Sequence, residues 1–435
     1  MSLILTKNDI LDKLKNRKFS QSSYKLRIYL GRTRLGFIKN SKNIDNSTGT
    51  EKYINPLLWQ LGHVVGFYFN LILRNMDIKN IDFEKYYEFY DSHKTPLENR
   101  NEELLLDYQN IIEKYNIVID NLHNYLIKTN ISKSDSYLIM LGILHNEMHN
   151  EALIFTKLSL YNTIDFSLKI YIEPLINDME FCYYKKGTFK QGSKDSKDYL
   201  NFDNEMPKFK KYLNDFFIST HMITENMFLE FIINEGYTND TYWCRNGKIW
   251  KTKNNISLPL YWYYENGFYY KLLNNTKFSV KTNLPIINIS YYEAKAYCKW
   301  KGFRLPTESE YEYVSTNAGT TKFPWGNDPP CNDKCNINYN NFIKPVNYYK
   351  SGNNKKGVSQ LIGNAWEWCE EPIYPYDGFK IDPVYREMSY PFFGYKKICK
   401  GGSFAVSDFL IHPKYRNAQY PDHRIQFIGF RVCRT

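Results

Sequence analysis

The stretch Ser132–Tyr161, SKSDSYLIMLGILHNEMHNEALIFTKLSLY, predicts a helix of several turns. Serine and aspartate side chains stand at its start, where such residues commonly cap a helix. Within it, His145 and His149 lie four residues apart, which places both imidazoles on one face of the helix. The two side chains can therefore bind the same metal ion.

Three further helical patterns precede this stretch. NPLLWQLGHVVGFYFNLILRNM is a long apolar helix from about Pro56, and NEELLLDYQNIIEKYNIVIDNLHNYLIK has apolar residues three and four apart. A weaker pattern runs from about Asn8 to Arg17. Four helices predict a four-helix bundle, an architecture whose interior often holds metals.

A metal site needs at least one ligand besides the histidine pair. The pair lacks the glutamate of the H-E-x-x-H zinc signature, because position 146 is Asn. His63 is the one imidazole of the apolar helix and is the best third ligand. Three neutral imidazoles suit iron(II) or zinc, and spacing alone does not choose between them. An ordinary histidine pair with no metal is the alternative.

After about residue 175 the pattern changes to short segments separated by Gly, Pro and Asn. Only two helices are predicted there, in TENMFLEFIINEG and SYYEAKAYCKWKG, and the rest indicates an irregular α+β domain. The predicted domains are 1–175, a helical bundle that carries the metal ligands, and 176–435.

Composition argues against several classes of function. The formal charge of +11 is spread along the chain with no basic helix, so no nucleic-acid partner is expected. No run reaches the roughly 18 apolar residues of a membrane span, and no signal peptide is evident. The eight cysteines are scattered, and Cys331 and Cys335 lack a second pair at zinc-ribbon spacing. We expect a soluble, cytoplasmic monomer with reduced thiols.

The second half resembles the formylglycine-generating enzyme, or sulfatase-modifying factor, domain, which has a C-type-lectin-like fold. The matching segments are FDNEMPKFKKYLNDFFIS (202–219), LPIINISYYEAKAYCKWKGFRLPTESEYEY (284–313), PWGNDPP (324–330), LIGNAWEWCEE (361–371), KGGSFA (400–405) and GFRV (429–432). The first half resembles a DinB-like bundle, through LWQLGH and the H-x-x-x-H-x-E pattern of His145, His149 and Glu151. This order of domains resembles the ergothioneine-synthase and ovothiol-synthase family.

That family consists of non-haem iron sulfoxide synthases. The resemblance implies that His63, His145 and His149 bind Fe(2+). It also implies that O2 is used to join a thiol, cysteine or γ-glutamylcysteine, to the imidazole of histidine or trimethylhistidine and to oxidise the sulfur. In PVYREMSYPFFGYKKICKGGSF, Tyr385 is the best match to the family's catalytic tyrosine, with Tyr390 as second choice.

The resemblance also predicts substrate-binding residues. In RNAQYPDHR, Asn417 is kept, whereas Ala418, Gln419 and His423 stand where the family usually has Trp, Asp and Arg. Met148 stands where a glutamine would contact the substrate. These changes leave the methylation state of the histidine substrate open.

The thiol substrate is expected to bind at the loop Tyr86–Arg100, where Lys94 and Arg100 are the expected partners of its carboxylates. Solvated loop charges are an equally good interpretation of both residues. The loop lacks an evident pair of arginines for a γ-glutamyl group, which favours free cysteine.

Three alternatives remain open at this point. The chain can be a non-catalytic, lectin-like ligand-binding protein, or the same iron site can act on a different thiol or a selenium donor. A zinc-bound, thiol-transferring DinB-type enzyme is the third. Cys399 and Cys433 do not have the spacing of the copper-binding cysteines of formylglycine-forming enzymes. We also expect this chain to lack the methyltransferase that ovothiol enzymes typically add.

Overall fold

The computed structural model describes residues 7–44, 54–76, 78, 86–100, 104–197 and 199–434. The chain divides into two compact units. The first comprises Met1–Leu160, Lys194–Asp203 and Lys380–Met388; the second comprises Tyr161–Ser193, Asn204–Phe379 and Ser389–Thr435. Each unit is therefore assembled from separate parts of the chain. The continuous domains 1–175 and 176–435 stay a prediction.

The first unit is helical, as the sequence predicts. Its helices are α1 (Lys7–Lys15), α2 (Ser23–Asn40), α3 (Leu57–Phe67), α4 (Tyr108–Lys128) and α5 (Lys133–Tyr161). The apolar pattern of α3 continues as a π-helical segment, Tyr68–Leu73. Residues 101–103, at the start of the pattern that predicts α4, lie outside the described residues.

Helix α2 is missing from the sequence prediction of four helices, and that prediction is wrong in this respect. The backbone N–H of Lys25 donates to the side chain of Ser22, which caps the helix, and one face of it is buried. Apolar residues also stand on the exposed face of α2, which obscures the apolar spacing in the sequence. Tyr24 is 72% exposed and Leu35 is 73% exposed. The buried positions, four and three residues apart, are Leu26, Leu30, Thr33, Phe37 and Asn40.

Buried polar contacts fix the rotation of α5 within the first unit. The Tyr115 hydroxyl on α4 donates to Oδ1 of Asn146 at 2.7 Å, and the Thr33 hydroxyl on α2 donates to Oε1 of Glu147 at 2.6 Å. The Tyr115 ring also stacks on Phe37, with centroids 4.1 Å apart. Because buried polar groups need partners, these bonds favour one orientation of α5. Glu147 lies on the face of the helix opposite the histidine pair.

The second unit contains four small sheets in its described residues. Strands β1 (Phe181–Tyr184), β4 (Phe216–Ser219) and β12 (Cys433–Arg434) form an antiparallel sheet in the order β1-β4-β12. Strands β2 (Gly187–Gln191) and β3 (Phe209–Leu213) form a pair. Strands β5 (Trp262–Glu265), β6 (Phe268–Leu273) and β7 (Thr276–Ser279) form a meander.

The fourth sheet has the order β10-β9-β8-β11. It consists of β8 (Trp366–Pro372), β9 (Lys397–Lys400), β10 (Asn417–Gln419) and β11 (Ile428–Gly429), with β11 parallel to β8. In its core, the fully buried Arg431 donates from Nε to Oε2 of Glu367 at 2.6 Å. The Tyr311 hydroxyl donates to the other oxygen of Glu367, so this buried charge is fully partnered.

Four helices occur in the described part of the second unit, so the prediction of only two is wrong. The two predicted helices are α6 (Glu225–Ile233) and α8 (Tyr291–Lys301). The two missed helices are α7 (Arg245–Lys253) and α9 (Glu308–Ser315). A capping box of Thr307 and Glu310 marks the start of α9 in the sequence. Helix α7 has a weak sequence signal, because it is basic and contains a glycine. In the ranges the structure describes, no helix combines the length and apolar character needed to cross a membrane.

Candidate metal centre

His63 on α3 and His145 and His149 on α5 lie together in the first unit. One potential ligand atom from each residue can be chosen so that all three lie within 4.8 Å of one another. The ring centroids are 5.1 Å apart for His63 and His145, 4.9 Å for His63 and His149, and 4.6 Å for the pair on α5. An ion about 2.1 Å from each nitrogen requires nitrogen separations of at most about 4.2 Å. Small side-chain rotations therefore suffice to hold an ion.

The tautomer of His63 is fixed by a backbone contact. Nδ1 of His63 lies 2.7 Å from the carbonyl oxygen of Tyr90. A carbonyl oxygen only accepts, so Nδ1 must carry the proton and Nε2 must carry the lone pair. The ring also stacks on Trp59, at a centroid distance of 5.1 Å and an interplanar angle of 11°. His63 is thus oriented with its lone pair available as a metal ligand.

His149 has a side-chain partner on α3. The amide nitrogen of Gln60 lies 3.4 Å from Nδ1 of His149, and Oε1 of the same amide is buried without a hydrogen-bond partner. Turning the amide over exchanges its oxygen and nitrogen. In that orientation Oε1 accepts from Nδ1–H of His149, which leaves Nε2 with the lone pair.

His145 is the most buried of the three histidines, with 1% of its surface exposed. Its ring stacks on Phe67 with centroids 3.6 Å apart and an interplanar angle of 6°. Nδ1 of His145 is buried and has no hydrogen-bond partner among the described residues. A buried polar atom without a partner is costly, and a metal ion bound at Nδ1 would account for it.

All three imidazoles are neutral at physiological pH. Burial lowers the pKa of His63 to about 4, although the hydrogen bond to Tyr90 opposes the shift. Burial, followed by the neighbouring imidazoles, lowers the pKa of His145 and His149 well below its usual value. Metal ligands must be deprotonated, so the donor set fits a divalent transition metal.

Tyr385 lies beside this cluster in the first unit. Its ring meets His145 nearly edge-on, at a centroid distance of 5.7 Å and an interplanar angle of 81°. It also meets Phe67 edge-on at 5.2 Å. Tyr390, the second choice from the sequence, belongs to the second unit and is 64% exposed. The structure thus places the ring of Tyr385 against His145, one of the three histidines.

Asp382 organises the segment that carries Tyr385. Its Oδ1 accepts from the backbone N–H groups of Val384 at 2.8 Å and Tyr385 at 3.0 Å. Its Oδ2 accepts from Arg17 at 2.6 Å and from the hydroxyl of Tyr137 on α5. Burial and this carboxylate raise the pKa of Tyr137 well above its usual value, so the phenol stays protonated. No local sequence pattern indicates this network.

A family model described as "Sulfatase-modifying factor enzyme 1-like domain" matches residues 177–435. The chain belongs to this family. It is 30% identical over 239 residues to a hercynine oxygenase of Mycobacterium tuberculosis, covering 54% of this chain and 56% of that protein. A hercynine oxygenase of Mycolicibacterium smegmatis is 29% identical over 247 residues, with the same two coverages of 54% and 56%. A formylglycine-generating enzyme of Thermomonospora curvata is 27% identical over 287 residues, covering 57% of this chain and 90% of that protein.

These relatives confirm the predicted resemblance to the ergothioneine synthases and to the formylglycine-generating enzymes. The family match likewise confirms the predicted α+β fold class with a sulfatase-modifying factor domain. The chain spans about half the length of the hercynine oxygenases that it matches, 56% in both cases.

The two cations predicted to bind the thiol substrate have partners within their own loop. Lys94 is exposed and donates to Oε1 of Glu88 at 2.7 Å. Arg100 donates to the carbonyl oxygens of Thr95 at 3.0 Å and Ser92 at 3.1 Å. Its guanidinium also lies 4.0 Å from the ring centroid of Trp59, the residue that stacks on His63. Arg100 is therefore linked to the histidine cluster through one aromatic ring.

The remaining predicted substrate residues are divided between the two units. Met148 is half-buried on α5, next to His149. In the second unit, Nδ1 of His423 lies 3.1 Å from Oε1 of Gln419, and Nε2 of Gln419 donates to Oδ1 of Asn417 at 3.4 Å. These three side chains therefore form one hydrogen-bonded series.

Lys396 is a further residue of this region, and no sequence motif indicates it. Its Nζ lies 3.6 Å from the ring centroid of Phe392 and 5.2 Å from that of Tyr420. Burial lowers the pKa of Lys396 to about 8. Burial, followed by the charge of Lys396, lowers the pKa of His423 to about 4. The group therefore presents a cation beside a neutral imidazole.

Proposed function

We propose that this protein is an iron(II)- and O2-dependent sulfoxide synthase. It forms a carbon–sulfur bond between a thiol, cysteine or γ-glutamylcysteine, and the imidazole of histidine or trimethylhistidine. The observation that carries the proposal is the cluster of three neutral imidazoles in a chain that resembles hercynine oxygenases. Free cysteine is the favoured thiol, because the loop Tyr86–Arg100 offers one arginine.

The proposed reaction balances with O2 as the sole oxidant. The thiol loses its S–H hydrogen, the imidazole loses one C–H hydrogen, and a carbon–sulfur bond forms. One oxygen atom becomes the sulfoxide oxygen, and the other leaves as water with the two hydrogens. Bond formation and sulfur oxidation each release two electrons, which together reduce O2 completely.

Iron(II) suits this chemistry better than zinc does. Zinc has no redox chemistry, whereas non-haem iron sites with open positions serve oxygenases. Bound by His63, His145 and His149, iron(II) would supply O2 activation and would favour the deprotonated form of a coordinated thiol. Three protein ligands support the proposal because they leave positions for the thiol and O2.

The chain's own groups have defined tasks in the proposed reaction. Tyr90 and Gln60 orient the ligands through Nδ1 of His63 and of His149. The hydroxyl of Tyr385 supplies a proton near the reacting atoms, since its ring packs against His145. Trp59 and Phe67 cover the imidazole faces and limit the access of water to the cluster.

The substrate contacts are part of the same proposal. Lys94 and Arg100 are assigned to the thiol substrate, and Met148 is assigned to the histidine substrate. Asn417, Gln419 and His423 are assigned to the histidine substrate in the second. A cytoplasmic location, a monomeric state and the absence of a nucleic-acid or membrane partner complete the proposal.

The test is product analysis with isotopically labelled O2. The iron-reconstituted protein is given cysteine or γ-glutamylcysteine, each with histidine or trimethylhistidine. The proposal expects one pair to give a coupled product that carries one labelled oxygen atom. Oxidised thiol without any coupled product, for all four pairs, would contradict the proposed reaction. Ligand binding with no oxidation at all would favour the lectin-like binding protein.

A further inference from the structure

A cavity of about 180 Å³ lies wholly within the second unit. Its wall consists of residues 167–171, the strand pair β6–β7 with the residues that follow it, and residues 342–344. The proposed oxygenase chemistry uses none of these residues. The cavity therefore requires an explanation of its own.

The charge of the lining is of one sign. Of its sixteen residues five are lysines, and there is neither an aspartate nor a glutamate. The lysines are Lys169, Lys271, Lys277, Lys281 and Lys344. Low-dielectric walls that carry one sign of charge concentrate ligands of the opposite sign.

Two of the five lysine charges are neutralised by neighbouring carboxylates. Nζ of Lys271 lies 2.5 Å from Oε1 of Glu225, and Lys277 pairs with Glu265. Within the described residues, Lys169, Lys281 and Lys344 have no such ion pair. The cavity thus keeps an excess of positive charge.

Lys344 is the decisive member of this set, because only 4% of it is exposed. Its Nζ lies 5.7 Å from the ring centroid of Tyr171 and 5.3 Å from that of Tyr348. Ring faces attract an ammonium but do not replace a carboxylate partner. Within the described residues no carboxylate pairs with this ammonium, so an anionic ligand beside Lys344 would gain a charge-assisted contact.

The wall also has an apolar part. Leu273, Leu284, Phe342 and Ile343 are all buried and line the cavity. An apolar cavity of roughly 150 Å³ takes up a benzene-sized molecule. The volume therefore matches one aromatic ring or a short acyl chain.

We propose that this cavity binds a small amphipathic carboxylate. The carboxylate lies between Lys344 and Lys281, and the apolar body packs against Leu273 and Phe342. This site goes beyond the proposed sulfoxide synthase and does not depend on it. An acyl chain and an aryl group share this chemistry, and the test distinguishes them.

Isothermal titration calorimetry of the full chain tests the proposal with two carboxylates, octanoate and 3-phenylpropionate. Octan-1-ol is the matched control, since it has the same chain length without the charge. At least one carboxylate is expected to bind at least tenfold more tightly than octan-1-ol. No binding of either carboxylate at millimolar concentration, or equal binding of octan-1-ol, would overturn the proposal.

Substitutions locate the bound ligand. Lys344→Met keeps the aliphatic stem, removes the charge, and is expected to weaken carboxylate binding about tenfold. Lys281→Glu changes an exposed residue, so it tests the same prediction without disturbing the core. The control is Lys350→Met, an exposed lysine outside the lining. Unchanged affinity in both cavity variants would show that the ligand binds elsewhere.

Discussion

The Nδ1–H of His63 donates to the carbonyl oxygen of Tyr90 at 2.7 Å, and the ring of Tyr90 packs directly against the backbone of Gly62. A Cβ atom at position 62 would overlap the ring. The orientation of one proposed iron ligand therefore depends on a glycine that precedes it in α3. This relationship links the packing of α3 to the metal affinity.

Gly62→Ala is expected to weaken iron(II) binding by about tenfold or more, because the ring of Tyr90 and its carbonyl oxygen must move. Losses of this size are typical when a group that orients a metal ligand is disturbed. The control is Gly31→Ala in α2, where an added Cβ meets nothing within 4 Å. Titration of the metal-free proteins with iron(II) gives both affinities. Equal affinities for the two variants would show that the Tyr90 contact has no influence on the metal.

Asp382→Asn is expected to lower the free energy of unfolding by about 2 kcal/mol, because Arg17 loses a buried, charge-assisted partner. The turnover rate should also fall, since the segment of Tyr385 loses its attachment to α5. Asp12→Asn is the matched control: Asp12 pairs with Lys15 at the surface, where an ion pair contributes less than about 0.5 kcal/mol. Urea denaturation measures the difference. A variant as stable as the Asp12 control would contradict the assigned role of the network.

Tyr385→Phe is expected to lower the rate of product formation about a hundredfold and to leave iron binding unchanged, since only a proton donor is lost. Tyr390→Phe provides the control, because this exposed tyrosine belongs to the second unit. The measurement is the initial rate of product formation at matched iron content. A normal rate for Tyr385→Phe would exclude its hydroxyl as the proton donor.

Lys396 is expected to react with amine reagents at an unusually low pH. Burial lowers its pKa to about 8 in the folded protein, against about 10.4 for an ordinary lysine. Between pH of about 8 and about 10.4, Lys396 is protonated in the unfolded chain but not in the folded protein. Raising the pH through this window therefore increases the contribution of Lys396 to the free energy of unfolding. Competitive acetylation followed by mass spectrometry gives the midpoint for each lysine. A midpoint for Lys396 above pH 10 would contradict the effect of burial.

Helical spacing together with the family resemblance predicted that the three histidines meet. The spacing of His145 and His149 places them on one face of a helix, and His63 is the one imidazole of an apolar helix. Asp382 could not be identified in the same way, because it lies 365 residues from Arg17 and 245 from Tyr137. Local patterns carry no information about such a distant contact.

Local signals were also missed where exposed side chains obscure them. In α2, the apolar residues Tyr24 and Leu35 on the exposed face obscure the regular spacing of the buried residues. Ser22, the N-cap residue, was the available signal for the start of this helix. In α9 the capping box of Thr307 and Glu310 was the available signal. Both cases show that capping residues can indicate a helix whose hydrophobic pattern is weak.

The central claim is tested most directly by anaerobic iron(II) titration followed by O2 uptake with the thiol and histidine substrates. The wild type and His123→Ala, a substitution in α4 outside the cluster, should bind one equivalent of iron and consume O2 as coupled product forms. His149→Ala should lose both iron binding and O2 uptake. Full iron binding and activity in His149→Ala, or no iron binding by the wild type, would contradict the three-histidine iron site.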